Sequence, residues 1–296
     1  MAGEVNALVV LNYNDWKTTT SLLEKVKDYK NIGHIIVVDN KSSDNSYNKL
    51  GMLKSEKIDV IQTDHNGGYA YGNDFGCRYA IEKYSPDNMI IANPDIMFSE
   101  GTLGKLVQGM NNLQDAGLVS CKMKCYSDID LPEAWKIPDY QDCILENLMI
   151  LRRLLGNKTR YKEKELIDNP TQVDVIAGSF FLLSTDTYCK INGFDIKTFL
   201  YYEENILAHK IRECGLKNYL FVDFEYDHYH SVSINRTFSS KIKRFRLAEN
   251  SREYYVRNYL CCGPVKMVLL RASYYIGLLD YMIADSVRGI IRKTEK

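Results

Sequence analysis

The sequence predicts an α/β fold, in which a mostly parallel central sheet is flanked by helices and followed by a C-terminal helical extension. Three observations support this fold class. Strand and helix patterns alternate through the first part of the chain, polar clusters follow four of the strands, and the residues from Lys241 onward have helical periodicity. Alternating strands and helices are typical of parallel strands joined by right-handed crossover connections.

Four short segments are predicted to be the strands of this sheet, and they are Ala7–Leu11, Ile35–Val38, Asp59–Gln62 and Met89–Ala92. The first, second and fourth are continuously apolar, as strands that are buried on both faces are. The intervening helices are predicted at Trp16–Tyr29, after the N-cap residue types Ser42-Ser43-Asp44, and at Ala70–Lys83.

The second half of the chain has a less regular pattern. Residues 131–170 are charged and irregular, and we interpret them as a helical insertion or a flexible flap. Val175–Leu183 is predicted to be a strand that Gly178 interrupts. We therefore expect a first domain over residues 1–238 and a basic, amphipathic helical tail over residues 239–296.

The tail combines positive charge with one apolar stripe. The chain has a formal net charge of zero, but from Arg236 to the end it has 13 Lys or Arg and 5 Asp or Glu. The stripe consists of Val265, Val268, Leu269, Ala272, Ile276, Leu279, Ile283, Val287 and Ile290. Such a helix either docks this stripe on the first domain or lies on a membrane surface, and the sequence leaves both interpretations open.

Composition and missing motifs exclude several classes of protein. The 8 cysteines include no pair of CxxC motifs, so we expect reduced thiols and a cytoplasmic location rather than a structural zinc site. The N-terminus has no signal-peptide pattern and no segment is apolar enough to span a membrane. No GxGxxG or phosphate-loop motif is present, which disfavours a dinucleotide oxidoreductase and an NTPase. We expect no nucleic-acid partner.

Polar side chains follow each of the four predicted strands. The clusters are Asn12-Tyr13-Asn14, Asp39-Asn40, His65-Asn66-Gly67-Gly68 and Asn93-Pro94-Asp95. Since ligands of parallel sheets bind beyond the carboxyl ends of the strands, these clusters predict one crevice. Asp39 could accept hydrogen bonds from a ribose or a pyrimidine, and Asp95 could bind Mg²⁺ or Mn²⁺, which prefer oxygen ligands. Each could also be a turn residue.

Two further groups are candidates for chemistry. Phe199–Glu213 has an acidic start followed by a helical pattern, and Glu203 or Glu204 could serve as a general base there. Acids at a helix start can also act only on the helix dipole. His228 and His230 are two of the chain's five histidines and could be metal ligands or structural residues.

Together these segments resemble the family-2 glycosyltransferases of the Rossmann-like GT-A fold, particularly the bacterial rhamnosyltransferase-like branch. The matching pieces cover about residues 5–235. They are Val9–Asn14, Val37–Asp44, Asn66–Tyr69, Gly72-Asn73, Asn93–Ile96, Ala177–Ser179, Gly193–Asp195 and Tyr202–Glu204.

The resemblance implies a role for each matching residue. Asp39 is expected to bind the nucleobase with Tyr13 beside it, and Asp95 to coordinate Mg²⁺ or Mn²⁺ with His228 or His230. Glu204 is expected to be the catalytic base, with Glu203 as the alternative. The implied nucleotide-sugar site comprises Asn12, Tyr13, Asn14, Asp39, Asn40, Asn66, Gly67, Gly68, Asn73, Asn93, Asp95 and Gly178.

The implied activity is metal-dependent, inverting transfer from dTDP-rhamnose or a UDP-sugar to a glycan or lipid-linked saccharide in cell-surface polysaccharide synthesis. The tail would then contact the inner face of the membrane peripherally, and a homodimer remains open. The alternatives are a catalytically inactive nucleotide-sugar-binding or scaffold protein and a sugar nucleotidyltransferase. The latter is disfavoured because Asn12-Tyr13-Asn14-Asp15 replaces the Gly-rich loop with Arg and Lys that it requires.

Overall fold

A computed structural model describes residues 5–126, 131–229 and 240–294 of the protein, with side chains in the last helix described as far as Ile283. The strands are β1 (Asn6–Asn12), β2 (His34–Asp39), β3 (Ile58–Gln62), β4 (Asn88–Ala92), β5 (Ile96–Met97), β6 (Ala116–Cys125), β7 (Ala134–Trp135), β8 (Thr171–Val173), β9 (Val175–Ile176), β10 (Phe180–Ser184) and β11 (Lys217–His228). The helices are α1 (Trp16–Val26), α2 (Ser46–Gly51), α3 (Tyr69–Tyr84), α4 (Glu100–Asn112), α5 (Tyr140–Asn147), α6 (Met149–Leu155), α7 (Thr185–Lys190), α8 (Glu203–Glu213), α9 (Lys241–Asn258) and α10 (Pro264–Thr294).

The central sheet has the strand order β3-β2-β1-β4-β10-β6-β11-β5, and β8 adds to β11. Strands β1 to β4 are parallel, β10 is antiparallel to β4, and β6 and β11 are parallel again. The predicted α/β class with a mostly parallel sheet is therefore confirmed. The apolar runs of β1, β2 and β4 are buried, and α3 packs closely on β1 and β2 at Gly76.

Several elements differ from the sequence prediction. Helix α4 and strand β6 were not predicted, and β11 extends well beyond its apolar centre so that His228 is its last residue. Gly178 does separate β9 from β10 as predicted. Residues 131–170 contain β7, α5 and α6, and α5 packs against α9 and α10. The expected boundary between residues 238 and 239 lies outside the described residues.

The C-terminal helices share a second apolar core with the N-terminal end of α8. This core consists of Cys143, Tyr202, Ile206, Tyr255, Val256, Met267 and Leu270. Helix α10 packs through Met267, Leu270 and Ser273, which are buried, and Gly277 lets it approach the backbone of Asn147.

The predicted apolar stripe of α10 does not dock on the first domain over the part whose side chains are described. Its members from Val265 to Ile283 are exposed, with Val265 at 75% and Leu279 at 58% of their full accessibility. The helix docks through a different face. Met267, Leu270 and Gly277 lie at helical spacing on that face. Over Val265–Ile283 the stripe is therefore not the docking face, and Val287 and Ile290 lie beyond the described side chains.

The apolar stretches of the described helices fall short of what a bilayer-crossing segment requires. All eight cysteines are free thiols, as the sequence predicts.

Candidate active site

Strand register brings the first three polar clusters together at one edge of the sheet. Asn12 pairs with Asp39 across β1 and β2, and Asp39 pairs with Gln62 across β2 and β3. The Asp39 carboxylate is fully buried. It accepts hydrogen bonds from Asn12 Nδ2 at 2.9 Å, from Ser42 Oγ at 2.6 Å and N at 3.0 Å, and from Gln62 Nε2 at 2.9 Å. A nucleobase would have to displace one of these donors.

The loop after β1 forms the rim beside Asp39. Asn14 has a positive φ of 53° and is exposed, and its side-chain oxygen accepts a hydrogen bond from Ser43 N at 2.8 Å. Tyr13, next to it, is half-buried. Both residues therefore lie at the edge of the crevice, where Tyr13 keeps part of its ring accessible.

The glycine-rich segment is tied to the loop that precedes α8. Asn40 Nδ2 donates to Asn66 Oδ1 and to Gly68 O, both at 3.0 Å. Gly68 has a φ of 91°, and any side chain there would meet the carbonyl of Phe199. Gly67 faces the ring of Tyr71 in the same way. Glycine is therefore required at both positions by close approach of neighbouring groups.

Asn73, another predicted site residue, lies within α3. It is buried and donates from Nδ2 to the carbonyl of Tyr69 at 3.1 Å. Its Oδ1 has no hydrogen-bond partner among the described residues.

The Asn93-Pro94-Asp95 segment lies between β4 and β5 and meets the end of β11. Asn93 N donates to Ser179 O at 2.8 Å, and Tyr229 N donates to Asp95 O at 2.9 Å. The carboxylate oxygen Oδ1 of Asp95 lies 3.5 Å from Nε2 of His228, and both side chains are nearly buried. Nδ1 of His228 lies 3.2 Å from Met123 Sδ, so that Nε2 is the ring nitrogen towards the carboxylate.

An oxygen and a nitrogen this close can contact one divalent cation, whose metal–ligand distances are about 2.1 Å for Mg²⁺. Asp95 and His228 could therefore supply two protein ligands to such a cation. The described residues contain no group of three or more acidic, histidine or cysteine side chains suited to a metal. His230, the competing predicted ligand, lies outside the described residues.

Glu204 lies against Gly178 in the loop between β9 and β10. A Cβ atom at Gly178 would come within 2.9 Å of Glu204 Oε1 and 3.2 Å of the Tyr69 hydroxyl. The Tyr69 hydroxyl donates to the Gly178 carbonyl. Burial raises the pKa of Glu204, although the backbone N–H of Gly178 partly opposes this by donating to the carboxylate. A raised pKa suits a general base that works near neutral pH.

Glu203 is more deeply placed than Glu204. Its side chain is buried and its Oε2 atom has no hydrogen-bond partner among the described residues. Burial, followed by the charge of Glu204, raises the pKa of Glu203 well above its ordinary value. An enclosed carboxyl group whose pKa is raised further than that of its neighbour by the nearby charge fits the role of base less well.

One continuous set of contacts joins these groups. Gly178 touches Glu204, and Ser179 next to it accepts the hydrogen bond from Asn93 and pairs its hydroxyl with Tyr226 at 2.6 Å. Glu204 and the backbone of Asn93, two residues before Asp95, therefore contact the same loop. Tyr69 was not predicted as a site residue, although it ends the matching piece Asn66–Tyr69.

A mostly parallel sheet with such a crevice beyond its carboxyl ends has the architecture of the GT-A class of glycosyltransferases. The sequence pattern of glycosyl transferase family 2 matches residues 7–183, which is more than half of the chain. The protein therefore belongs to glycosyl transferase family 2, in its rhamnosyltransferase-like branch. It is a nucleotide-sugar glycosyltransferase, as the resemblance implied.

Curated relatives agree with this branch. The chain is 28% identical over 255 residues to rhamnosyltransferase WbbL of Escherichia coli, covering 83% of this chain and 90% of WbbL. It is 21% identical over 216 residues to the N-acetylglucosaminyl-diphospho-decaprenol L-rhamnosyltransferase of Mycobacterium tuberculosis, covering 68% of each chain.

Solved structures confirm the fold. A mannosyltransferase of Pyrobaculum calidifontis, in complex with GDP-Man and Mn²⁺, matches 92% of this chain and 69% of its own with a TM-score of 0.58 at 14% identity. GalNAc-T7 with UDP, GalNAc and Mn²⁺ matches 97% of this chain and 57% of its own with a TM-score of 0.59 at 15% identity. The C-terminal helical extension is present as predicted.

Proposed function

We propose that the protein is a metal-dependent, inverting glycosyltransferase that moves rhamnose from dTDP-rhamnose, or a hexose from a UDP-sugar, to a lipid-linked saccharide. The observation that carries this proposal is that Glu204 lies against Gly178, while Asn93, two residues before Asp95 of the Asp95–His228 pair, donates its N–H to the adjacent Ser179. The names of the Escherichia coli and Mycobacterium tuberculosis relatives support rhamnose as the sugar.

The donor would extend from the Asp39 end of the crevice to Asp95. Asn12, Asn40 and Asn66 form the polar floor around Asp39, and Tyr13 would contact the base from the rim. Asn93 would contact the ribose or the diphosphate. Asp95 and His228 would bind Mn²⁺ or Mg²⁺, which neutralises the charge of a departing diphosphate.

Glu204 would accept the proton of the acceptor hydroxyl as that oxygen attacks the anomeric carbon. A single in-line displacement on the face opposite the diphosphate inverts the anomeric configuration. The raised pKa of Glu204, caused by burial, makes its carboxylate a stronger acceptor for this proton. Glu203, which is buried, would support the turn.

The acceptor is proposed to be an N-acetylhexosaminyl diphosphate on a polyprenyl chain, in line with the name of the mycobacterial relative. Such a substrate resides at a membrane. Helix α10 exposes the apolar side chains of its stripe, and the neighbouring helix α6 exposes Leu154 at 77% together with Ile150 and Leu155. Arg152, Arg153 and Lys266 add positive charge to this surface, which suits an anionic inner membrane face.

The experiment is to incubate the protein with dTDP-rhamnose, Mn²⁺ and a short-chain polyprenyl diphosphate N-acetylglucosamine, and to determine the product by NMR. A rhamnoside with the anomeric configuration opposite to that of the donor supports the proposal. Retention of configuration, or equal rates after removal of Mn²⁺ and Mg²⁺ with EDTA, contradicts it.

A further inference from the structure

Arg252 of α9 is the centre of a buried, hydrogen-bonded group behind the crevice. Its Nε donates to the hydroxyl of Tyr202 at 3.0 Å, and its Nη1 donates to Asn147 and to Glu249. Its Nη2 lies 3.3 Å from the Glu146 carboxylate. We call the residues Glu146, Asn147, Tyr202, Glu249 and Arg252 the Arg252 cluster.

The cluster joins three parts of the chain at one hydroxyl group. Tyr202 donates to Glu146 Oε2 at 2.6 Å while it accepts the hydrogen bond from Arg252. Glu146 and Asn147 belong to α5, whereas Arg252 belongs to α9. Because the guanidinium group is a rigid, planar fork, its bonds fix the direction of the phenol as well as its distance.

Tyr202 lies in an unusual backbone turn directly before Glu203 and Glu204. Tyr201 and Tyr202 have φ values of 70° and 69°. Two consecutive aromatic residues in the left-handed region are disfavoured, and such a turn persists only where the surroundings determine it. The Arg252 cluster stabilises this turn, because it holds the side chain of Tyr202, the second residue of the turn.

The direction of this turn matters for Glu204. Helix α8 begins at Glu203, so the two left-handed residues set where the first helical turn points. Glu204 must enter the narrow space beside Gly178, where even one added carbon atom would come within 2.9 Å of its carboxylate. A small rotation of the turn would move the carboxylate out of this space.

We propose that Arg252 is a positioning residue, which acts through Tyr202 to hold Glu204 in the geometry for proton transfer. This inference rests on the proposed function for its effect on turnover. Its structural part, the anchoring of the turn, is independent of the substrate. Among the described residues, the hydrogen bonds of Arg252 and Tyr202 go to Cys143, Glu146, Asn147 and Glu249 and to each other, and not to Asp39, Asp95 or His228, so donor affinity should be spared.

The test compares Tyr202→Phe, Arg252→Gln and Arg252→Lys with the control Arg271→Gln. Arg271 also forms a bidentate pair, with Glu253, and joins α9 to α10 on the exposed side of the same helices. Two quantities are measured: amide hydrogen exchange across residues 199–206, and kcat and KM for Mn²⁺-dependent hydrolysis of dTDP-rhamnose. Tyr202→Phe removes one oxygen atom, so it carries the test if Arg252→Gln does not fold.

We expect faster exchange across residues 199–206 in Tyr202→Phe and Arg252→Gln, and a kcat lower by about 10- to 100-fold with KM changed by less than about twofold. Arg252→Lys should recover part of kcat, and Arg271→Gln should behave as wild type. Unchanged exchange in Tyr202→Phe overturns the inference. A kcat of Tyr202→Phe equal to that of wild type also overturns the inference. A KM that rises in parallel with the loss of kcat overturns it as well.

A wild-type protein that does not hydrolyse the donor would count against the proposed function, and hydrogen exchange alone then decides whether the cluster anchors the turn.

Discussion

The imidazole Nε2 of His228 lies 3.5 Å from the carboxylate Oδ1 of Asp95, although 132 intervening residues separate them along the chain. The antiparallel pairing of β11 with β5 creates this proximity, because it sets His228 opposite Ile96. The two side chains offer one nitrogen and one oxygen ligand at the end of the sheet where the donor diphosphate is proposed to lie.

Removal of either ligand should weaken metal binding. We expect Asp95→Asn and His228→Ala to lower the affinity for Mn²⁺ in the presence of dTDP by at least about tenfold, because even outer-shell partners of metal ligands contribute that much. Isothermal titration of Mn²⁺ into protein saturated with dTDP measures this. His34→Ala is the control, since His34 begins β2 at the end of the strand away from Asp39. An unchanged affinity for Mn²⁺ in His228→Ala would show that His228 is not a metal ligand.

Gly178→Ala should slow turnover without unfolding the protein. The added methyl group would come within 2.9 Å of Glu204 Oε1, so the carboxylate must move, and misplacement of this size can cost about 100-fold in rate. Steady-state kinetics of donor hydrolysis and a thermal melt measure the two effects. Gly101→Ala is the control, because its Cβ would have its nearest neighbour at 3.7 Å. Equal rates in both variants would place Glu204 outside the reaction.

The two adjacent acids should respond differently to amide substitution. Glu204→Gln is expected to lower kcat by about 10²- to 10⁴-fold, the usual contribution of a general base. Glu203→Gln should retain most of the activity, because burial raises the pKa of Glu203 and the amide keeps the shape of the enclosed carboxyl group. Rates of sugar transfer at several pH values distinguish the two. The reverse order of effects would make Glu203 the base, and full activity of both variants would leave no role for either.

The pKa of Glu203 also predicts how stability depends on pH. Burial raises this pKa above that of an unfolded chain, so the folded state binds the proton more tightly. The stabilisation that this provides is present below the ordinary glutamate pKa of about 4.3 and is lost as pH rises through the folded pKa. Glu203→Gln should therefore gain stability relative to wild type with rising pH. Thermal melts from pH 4 to pH 9 measure the difference, and a constant difference would contradict it.

The exposed apolar surface of α6 and α10 should bind anionic membranes. We expect the double variant Leu154→Glu, Leu279→Glu to sediment less with vesicles that contain phosphatidylglycerol, because it places charge in a surface proposed to enter the interface. Ile167→Glu is the control, as Ile167 is equally exposed at 73% but lies outside both helices. Equal sedimentation of all three proteins would contradict membrane contact, and loss of a dimer in the variant would assign the surface to a second copy.

The sequence predicts the fold well where burial alone determines the pattern. The four predicted strands became β1 to β4 within about two residues, and β1, β2 and β4 are easily recognised because strands covered on both faces must be continuously apolar. Strand β6 was missed because its second half alternates between exposed and half-buried residues, and its first half begins with Ala116-Gly117. The sequence also predicted the apolar stripe of α10. It did not predict that the helix would dock through another face.

The sequence predicts which residues form the candidate site, but it does not predict how their side chains are arranged. The strand ends identified Asp39 and Asp95, since chain order alone places them at one edge of a parallel sheet. The different environments of Glu203 and Glu204 depend on Tyr201 and Tyr202, whose backbones are left-handed. No local preference of tyrosine would predict this conformation. The four donors around Asp39 come from three segments, so its full burial also follows only from the tertiary structure.

The most direct test of a metal-dependent nucleotide-sugar site is the melting temperature of wild type and Asp95→Ala with dTDP or UDP, with and without Mn²⁺. At a ligand concentration of 100 times Kd, binding should stabilise the folded protein by about 2.7 kcal/mol. We predict that the nucleotide raises the melting temperature of wild type by about 4 °C only when Mn²⁺ is present, and that Asp95→Ala shows no such rise. A rise of equal size without Mn²⁺, or in Asp95→Ala, would contradict the proposed metal site.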